Sequence, residues 1–297
     1  MNKLRRSMLY VPGNNPGMVK DAGIYSADCI LFDLEDSVSL AEKDAARFLI
    51  AEALTSLDYT DSQVYVRIND PNTALGRQDM AVIVPIGKAV IRLPKTETAD
   101  DIKSCAEEIT RIEKQSGLPE GFTKMMAAVE SALGVLNSRE IAAASPRMVA
   151  IAFGAEDYTV DIKTTRSKEG SELYFARSMV LHSARAAGID AIDTVFSDIS
   201  DEDGFAAEVQ MIKQMGFDGK SVINPRQIGP IHQIYAPTDN EILHALAVTD
   251  AIVQANKRGS GVISLNGKMI DNPVVLRAQR ILTLAGETRI VKVRGQL

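Results

Sequence analysis

The chain has 297 residues and a formal net charge of −6, and 45% of its residues are hydrophobic. This composition is typical of a globular protein with a substantial core, and an α/β barrel of about 250 residues with additions would account for the length. The acidic balance and the lack of clustered Lys and Arg argue against a nucleic-acid partner.

The chain begins MNKLRRSMLYVPG, which has basic residues but too short an apolar stretch for a signal peptide. No run approaches the roughly 20 apolar residues that a membrane span needs. We therefore expect a cytoplasmic protein with no membrane partner.

Eight short apolar runs recur along the chain, with helical patterns between them. The runs are residues 8–11, 29–34, 64–68, 89–93, 125–129, 149–153, 191–195 and 221–223. Alternating strands and helices predict a parallel sheet with crossover helices, and eight repeats favour a closed (β/α)8 TIM barrel. A doubly wound open sheet is the alternative, but neither GxGxxG nor GxxxxGK[ST] opens any helix.

Several helices have sequence signals at their ends. Ser39 and Thr98 stand where capping hydroxyls belong, with acidic residues in the first turn. Gly188 and Gly216 stand where helices would end. Further helical patterns begin at Leu133, Ser171 and Asp203.

The pattern changes after Asn224 and Pro225, where a long amphipathic helix, a Gly-rich hairpin and another helix follow. We predict a barrel domain over residues 1–235 and a C-terminal helical extension over 236–297. The extension holds Lys268 and Asp271 beside a helix start. It could act as a lid, since lids commonly exclude water from barrel sites.

Two carboxylates end neighbouring predicted strands. Glu130 follows the fifth run and Asp157 follows the sixth, and a barrel brings adjacent strand ends together. Hard cations such as Mg²⁺ are often held by one or two carboxylates, with substrate and water completing the shell. The alternatives are solvated acids on the rim or helix N-caps.

Arg67 ends the otherwise apolar run VYVRIN. Its guanidinium could grip a substrate carboxylate at two points, or form a salt bridge to Glu35 or Asp36. These two acids and Asp33 cluster after the second run, where they could position metal-bound water or Arg67, or cap the following helix.

Lys95 also follows a predicted strand, in the run IRLPKTET. A strand-end lysine in a barrel invites a Schiff-base role, but an ion pair with a neighbour such as Glu97 is the favoured interpretation. The three histidines have no metal-ligand spacing, so we assign them no catalytic role.

Together these motifs resemble the citrate lyase β-subunit family, within the wider CitE-like and malyl-CoA lyase group. The matching segments run in order over nearly the whole chain. They are RRSMLYVPGNNPGMV, ADCILFDLEDSV, VYVRIN, VIRLPKTET, AAVESALG, IAFGAEDYTVDIKTTRSKEGSELYFAR, GFDGKSVINPRQI and LNGKMIDNPV.

The resemblance implies a (β/α)8 barrel that cleaves a 3-hydroxyacyl thioester with Mg²⁺ and no Schiff base. In the citrate lyase member the substrate is a citryl thioester on an acyl carrier protein, within a complex that includes an alpha subunit. Carried onto this sequence, Arg67 and Glu130 contact substrate, Glu130 and Asp157 bind Mg²⁺, and Asp271 is the acid/base group of the lid. In related lyases that acid reaches a neighbouring protomer, so a homo-oligomer is expected.

Two rival functions remain. A stand-alone malyl-CoA or citramalyl-CoA lyase shares the same chemistry, although the uninterrupted match through TTRSKEGSELYFAR favours the citrate lyase type. A non-catalytic barrel subunit is the second rival, and the retention of Arg67, Glu130, Asp157 and Asp271 argues against it. The sequence leaves the carrier open between a protein-bound and a free CoA-type thioester.

Overall fold

The computed structural model describes the backbone of residues 4–257, 264–265 and 268–294, and the side chains of residues 4–254 and 270–286. The chain forms two compact units, Met1–Ile234 and Tyr235–Leu297. The side chain of Lys268, which we predicted to belong to a lid, lies outside the described residues.

The first unit is a closed barrel of eight parallel strands in sequence order, in which the first strand pairs with both the second and the eighth. This confirms the predicted (β/α)8 barrel, and every predicted strand boundary lies within two residues of the observed one. The strands are β1 (Ser7–Pro12), β2 (Cys29–Asp33), β3 (Gln63–Arg67), β4 (Val90–Leu93), β5 (Met125–Val129), β6 (Met148–Phe153), β7 (Asp190–Asp193) and β8 (Gly219–Val222).

Helices connect the strands and form the outer layer. They are α1 (Pro16–Asp21), α2 (Lys43–Ser56), α3 (Ala74–Ile83), α4 (Ala99–Ser116), α5 (Ala132–Leu136), α6 (Ser138–Ala143), α7 (Ala155–Asp161), α8 (Tyr174–Ala187), α9 (Glu202–Met215) and α10 (Ile228–Tyr235). Short 3-10 turns lie at Ala22–Tyr25, Leu40–Glu42, Val84–Ile86, Ser171–Leu173 and Pro225–Gln227.

Three of the predicted helix ends are confirmed. Thr98 forms a capping box with Asp101 at the start of α4. Gly188 and Gly216 end α8 and α9 with φ of 72° and 112°, a left-handed conformation that favours glycine.

Two other local predictions were wrong. The hydroxyl of Ser39 donates to Glu42 Oε2 instead of capping a backbone N–H, because a 3-10 turn separates Ser39 from α2. The single helix predicted from Leu133 is two helices, since the non-helical Asn137 divides α5 from α6.

Alternate strand residues fill the barrel interior. Its apolar core is made by Met8, Cys29, Leu31, Tyr65, Met126, Ala150, Ala152 and Ile192. In β1, β2, β3 and β7, the inward position two residues further along carries a polar side chain at the carboxyl end. These are Tyr10, Asp33, Arg67 and Thr194, and Arg92 follows the inward Val90 in the same way.

The second unit contains α11 (Asp239–Lys257), β9 (Ser264–Leu265), β10 (Lys268–Met269) and α12 (Asn272–Arg294). The two short strands pair antiparallel, in agreement with the predicted hairpin. Ala245, Val248 and Ala278 pack between α11 and α12. Among the described helices of the chain, none has the length and apolarity needed to cross a membrane.

Candidate active site

A cavity of about 450 Å³ lies at the carboxyl ends of the barrel strands. This is the face on which (β/α)8 enzymes place their catalytic groups. The charged and polar residues that line it are Tyr10, Asp33, Asp36, Ser37, Arg67, Arg92, Glu130, Glu156, Asp157, Thr194 and Ser221.

Glu130 directly follows β5, as predicted, and is only 6% exposed. Burial raises the pKa of its carboxyl to about 7, and the nearby Asp157 adds to this rise while Arg92 and Arg67 oppose it. Gly154 on the adjacent strand end makes room for this side chain, because a Cβ there would lie 2.6 Å from Glu130 Cγ. The sequence thus places a proton-accepting group inside the cavity.

Asp157 is displaced from its predicted position. It lies in the first turn of α7 and not at the end of β6, because the chain enters the helix immediately after Gly154. Its Oδ2 atom is buried and has no hydrogen bond, and Lys95 Nζ lies 3.5 Å from that atom. Lys95 thus supplies a positive charge but no hydrogen bond to this oxygen, and a ligand or a further cation in the cavity would satisfy it.

The donor atoms at Glu130 and Asp157 fit a hard divalent cation. Both are carboxylates beside one cavity, and one of their oxygens is buried without a hydrogen bond. Within the described residues, no group of three or more His, Cys, Asp or Glu is placed to hold a metal. Two carboxylates are enough for Mg²⁺, which usually keeps substrate or water oxygens in its remaining positions.

The pair of hydrogen bonds that we predicted Arg67 to donate to a substrate carboxylate is donated to a carboxylate of the protein. Its Nε and Nη2 each donate to one oxygen of Asp33 at 2.7 Å, and its Nη1 lies 3.1 Å from Glu35 Oε2. Burial disfavours the charged form of Asp33, but Arg67 outweighs it and lowers the pKa of that carboxyl to about 2. The guanidinium is therefore held rigidly, with its fork turned toward Asp33.

The acidic cluster after β2 also pairs with Lys95. Lys95 Nζ lies 3.0 Å from Glu35 Oε1 and 3.3 Å from Asp36 Oδ1. The predicted ion pair is confirmed but its partner is not Glu97, whose carboxylate accepts from Ser131 Oγ at 2.6 Å.

The environment of Lys95 disfavours covalent chemistry. Burial lowers the pKa of this amine, but Glu35, Asp36 and Asp157 outweigh it and raise the pKa above its ordinary value. A Schiff-base lysine needs the opposite shift to become a nucleophile.

Asp271 belongs to the second unit. It is exposed and precedes α12, where its Oδ1 accepts from Val274 N at 3.1 Å. The carboxylate therefore caps this helix.

Sequence reasoning missed Arg92 and Tyr10. The centroid of the Tyr10 ring lies 5.3 Å from Arg67 Cζ and 5.1 Å from Arg92 Cζ. Arg92 is 2% exposed and lines the cavity. Its signal was present in the run VIRL, where a charge interrupts an apolar strand just as Arg67 interrupts VYVR.

Comparison with known proteins agrees with this geometry. The chain is 57% identical over 293 residues to the citrate lyase subunit beta of Leuconostoc mesenteroides subsp. cremoris, covering 99% of this chain and 97% of the relative. A citrate lyase beta subunit from M. tuberculosis, solved with oxaloacetate and magnesium, superposes with a TM-score of 0.67 at 28% identity, covering 80% of this chain and all of that one.

A structure of CitE from Mycobacterium tuberculosis with magnesium, acetoacetate and coenzyme A has a TM-score of 0.73 and 29% identity, covering 97% of this chain and 100% of that one. Residues 6–225 match the family described as HpcH/HpaI aldolase/citrate lyase. The chain therefore belongs to the HpcH/HpaI aldolase/citrate lyase family and is a lyase.

Proposed function

We propose that this chain is a citryl-acyl-carrier-protein lyase, which cleaves a protein-bound citryl thioester into oxaloacetate and an acetyl thioester. In this role it acts as the β subunit of a citrate lyase, with an alpha subunit and an acyl carrier protein as partners. The observation that carries the proposal is the pair Glu130 and Asp157 beside two buried arginines in one barrel cavity. The near full-length similarity to a citrate lyase subunit beta supports the choice of substrate.

Glu130 and Asp157 are the residues that would hold Mg²⁺. Bound there, the ion would polarise the substrate hydroxyl and the carboxylate beside it, which lowers the cost of removing the hydroxyl proton. The residues that line the cavity include five carboxylates and two arginines, and this negative balance favours a divalent cation at this position.

The protein side chains supply binding and proton transfer. The hydroxyl proton passes to a carboxylate base as the bond between the α and β carbons of the thioester breaks. The electrons of that bond move into the departing thioester as an enolate, which takes a proton at carbon to become the acetyl group. Arg67, held by Asp33, presents a fixed positive charge on the cavity wall toward the carboxylates of the substrate.

Asp271 is the proposed acid/base group, acting from the lid of a neighbouring protomer. Asp271→Asn and Glu130→Gln should each be nearly inactive alone, whereas their co-expression should restore activity through sites that combine both intact residues. A lid that serves its own barrel would give no rescue, because every site would then carry one lesion.

The decisive experiment is a substrate panel with the purified chain and Mg²⁺. Citryl, malyl and citramalyl thioesters are each supplied on coenzyme A and on the acyl carrier protein, and product formation is followed. We expect the citryl group on the carrier protein to react fastest. A preference for a malyl or citramalyl thioester of coenzyme A would contradict the proposal, and so would the absence of turnover on every substrate.

A further inference from the structure

Arg92 is a buried cation that has no carboxylate within ion-pair distance among the described residues. It is an inward residue of β4 and is 2% exposed. Its Nη1 contacts Met8 Sδ at 3.8 Å, a weak acceptor, and its Nε is buried with no hydrogen-bond partner. The Tyr10 ring at 5.1 Å offers only a cation–π contact.

The other buried arginines differ from Arg92 in having carboxylate partners. Within the described residues, each of them has a carboxylate within 4 Å, whereas Arg92 has none. Their partners are Asp79 for Arg47, Asp33 for Arg67, Glu113 for Arg147 and Asp193 for Arg177. Burying an unpaired guanidinium is costly, so a fold that retains one beside a cavity has a use for its charge.

The cavity offers Arg92 an anionic partner from outside the protein. Arg92 and Glu130 line the same space of about 450 Å³, where the charge of Arg92 lowers the pKa of Glu130 against the effect of burial. Arg67 cannot serve as the two-point receptor, because its Nε and Nη2 already bind Asp33. The guanidinium of Arg92 keeps donors available for a planar carboxylate.

We infer that Arg92 binds a second free carboxylate of the acyl substrate and so selects dicarboxylic acyl groups over those with one free carboxylate. The inference rests on the proposed function, since it deepens the choice of substrate at the same site. A citryl thioester has two free carboxylates, and Glu130 and Asp157 are assigned to the hydroxyl end that carries one of them. Arg92 then receives the other, which citramalyl and malyl thioesters lack.

The matched substrates for the test are citryl and citramalyl thioesters, which differ by this one carboxylate. Replacing Arg92 by Met removes the hydrogen-bond donors of the guanidinium and keeps an unbranched side chain. We expect kcat/KM for the citryl thioester to fall by about 100-fold, because charge-assisted hydrogen bonds are lost, and kcat/KM for citramalyl to change by less than about 3-fold. The control is Arg47→Lys, a change at a buried arginine outside the cavity. It should leave the ratio of kcat/KM for the two substrates unaltered.

Binding provides a readout that does not depend on turnover. In calorimetry with Mg²⁺, the wild-type protein should prefer oxaloacetate over pyruvate, and Arg92→Met should lose that preference. If Arg92→Met does not fold, Arg92→Lys decides the question. This variant keeps the charge but not the planar fork. We expect the ratio of kcat/KM for citryl over citramalyl thioester to fall by about 10-fold.

The outcomes separate the inference from the proposed function. If the wild-type protein cleaves neither thioester, the proposed function fails, and the oxaloacetate and pyruvate affinities alone judge Arg92. Equal losses on both substrates would overturn the inference, because Arg92 would then act only through Tyr10 or Glu130. An unchanged ratio in every Arg92 variant would overturn it as well.

Discussion

Two groups of buried charged side chains in the barrel unit differ in how they are paired, one between the strands and the helices and one at the carboxyl ends of the strands. Between β7, β8, α8 and α9, Asp193 accepts from Arg177 Nε and Lys220 Nζ at 2.8 Å each, and Glu208 contacts both cations. We call these four residues the interlayer network. The cavity instead leaves Arg92 Nε and Asp157 Oδ2 without hydrogen bonds.

The paired charges of the interlayer network stabilise the fold, whereas the incompletely paired charges of the cavity are available to a ligand. The interlayer network contains two cations and two anions, and only Nη1 of Arg177 lacks a hydrogen bond among its buried side-chain atoms. In the cavity, Arg92 has no carboxylate within 4 Å among the described residues, and Asp157 Oδ2 has no hydrogen bond although Lys95 Nζ lies 3.5 Å away. Loss of a network residue should therefore reduce stability, whereas loss of a cavity residue should reduce function while the protein stays folded.

The largest expected effect is on turnover, from Glu130→Gln and from Asp157→Asn. Each change removes one of two charged oxygen ligands, so we expect turnover to fall by about 10³-fold or more and Mg²⁺ affinity to weaken. Steady-state rates measured across a Mg²⁺ titration, together with calorimetry, would test this. Unchanged metal affinity in both variants would contradict the assignment of the site.

The next largest effect is on stability, from Asp193→Asn in the interlayer network. The substitution leaves Arg177 and Lys220 with Glu208 as their remaining anion, and breaking a buried pair costs about 3–5 kcal/mol. Urea unfolding would measure the loss. Lys103→Ala is the control, because its ion pair with Asp100 is exposed and should matter little. Equal effects of the two variants would show that the network does not stabilise the fold.

The sequence predicted the barrel because its apolar runs alone record the strand positions. Glu130 was found for the same reason, since it directly follows a strand. Asp157 was misplaced because its position depends on where the backbone turns at Gly154, and a one-dimensional pattern does not show that turn.

Pairings between distant residues were predicted only in part. The salt bridge predicted between Arg67 and Glu35 or Asp36 is confirmed, since Arg67 Nη1 lies 3.1 Å from Glu35 Oε2 and 3.7 Å from Asp36 Oδ2. The sequence did not show that Asp33, 34 residues before Arg67, accepts both parallel hydrogen bonds of the guanidinium. The charge of Arg92 was visible in the strand, but its lack of a partner is a property of the packed interior. The lack of a partner for a side chain can be recognised only when the residues packed around it are known.

Arg67→Lys tests whether a partnered cavity arginine behaves like the network. A lysine keeps the charge but cannot donate to both oxygens of Asp33, so at least one charge-assisted hydrogen bond, worth about 1.5–3 kcal/mol, is lost. We expect lower stability together with activity reduced by about 10- to 100-fold. Chemical denaturation and kcat/KM would be measured on the same preparation. Near-normal values for both would mean that Arg67 supplies only its charge.

The smallest expected effect is a pH-dependent stability difference between the wild-type protein and Glu130→Gln, both without metal. The folded pKa of Glu130 is about 7, above the ordinary value of 4.5, because burial disfavours its charged form. The stability that its proton contributes is therefore fully present below pH 4.5 and is lost as the pH rises through 7. Glutamine does not ionise, so the variant should become the more stable protein at pH 8, by on the order of 1–3 kcal/mol.

A buried glutamate outside the cavity should show the opposite sign. Burial disfavours the charge of Glu113 as well, but its hydrogen bonds to Arg147 outweigh this and lower the pKa to about 2. Its contribution is present above pH 4.5 and is lost as the pH falls toward 2, so Glu113→Gln should be less stable than the wild-type protein at pH 8. Urea unfolding at pH 5 and pH 8 with a chelator would compare the two variants. If both lost stability at pH 8, Glu130 would be a satisfied structural carboxylate, and the contrast between the cavity and the ion-paired interior would not hold.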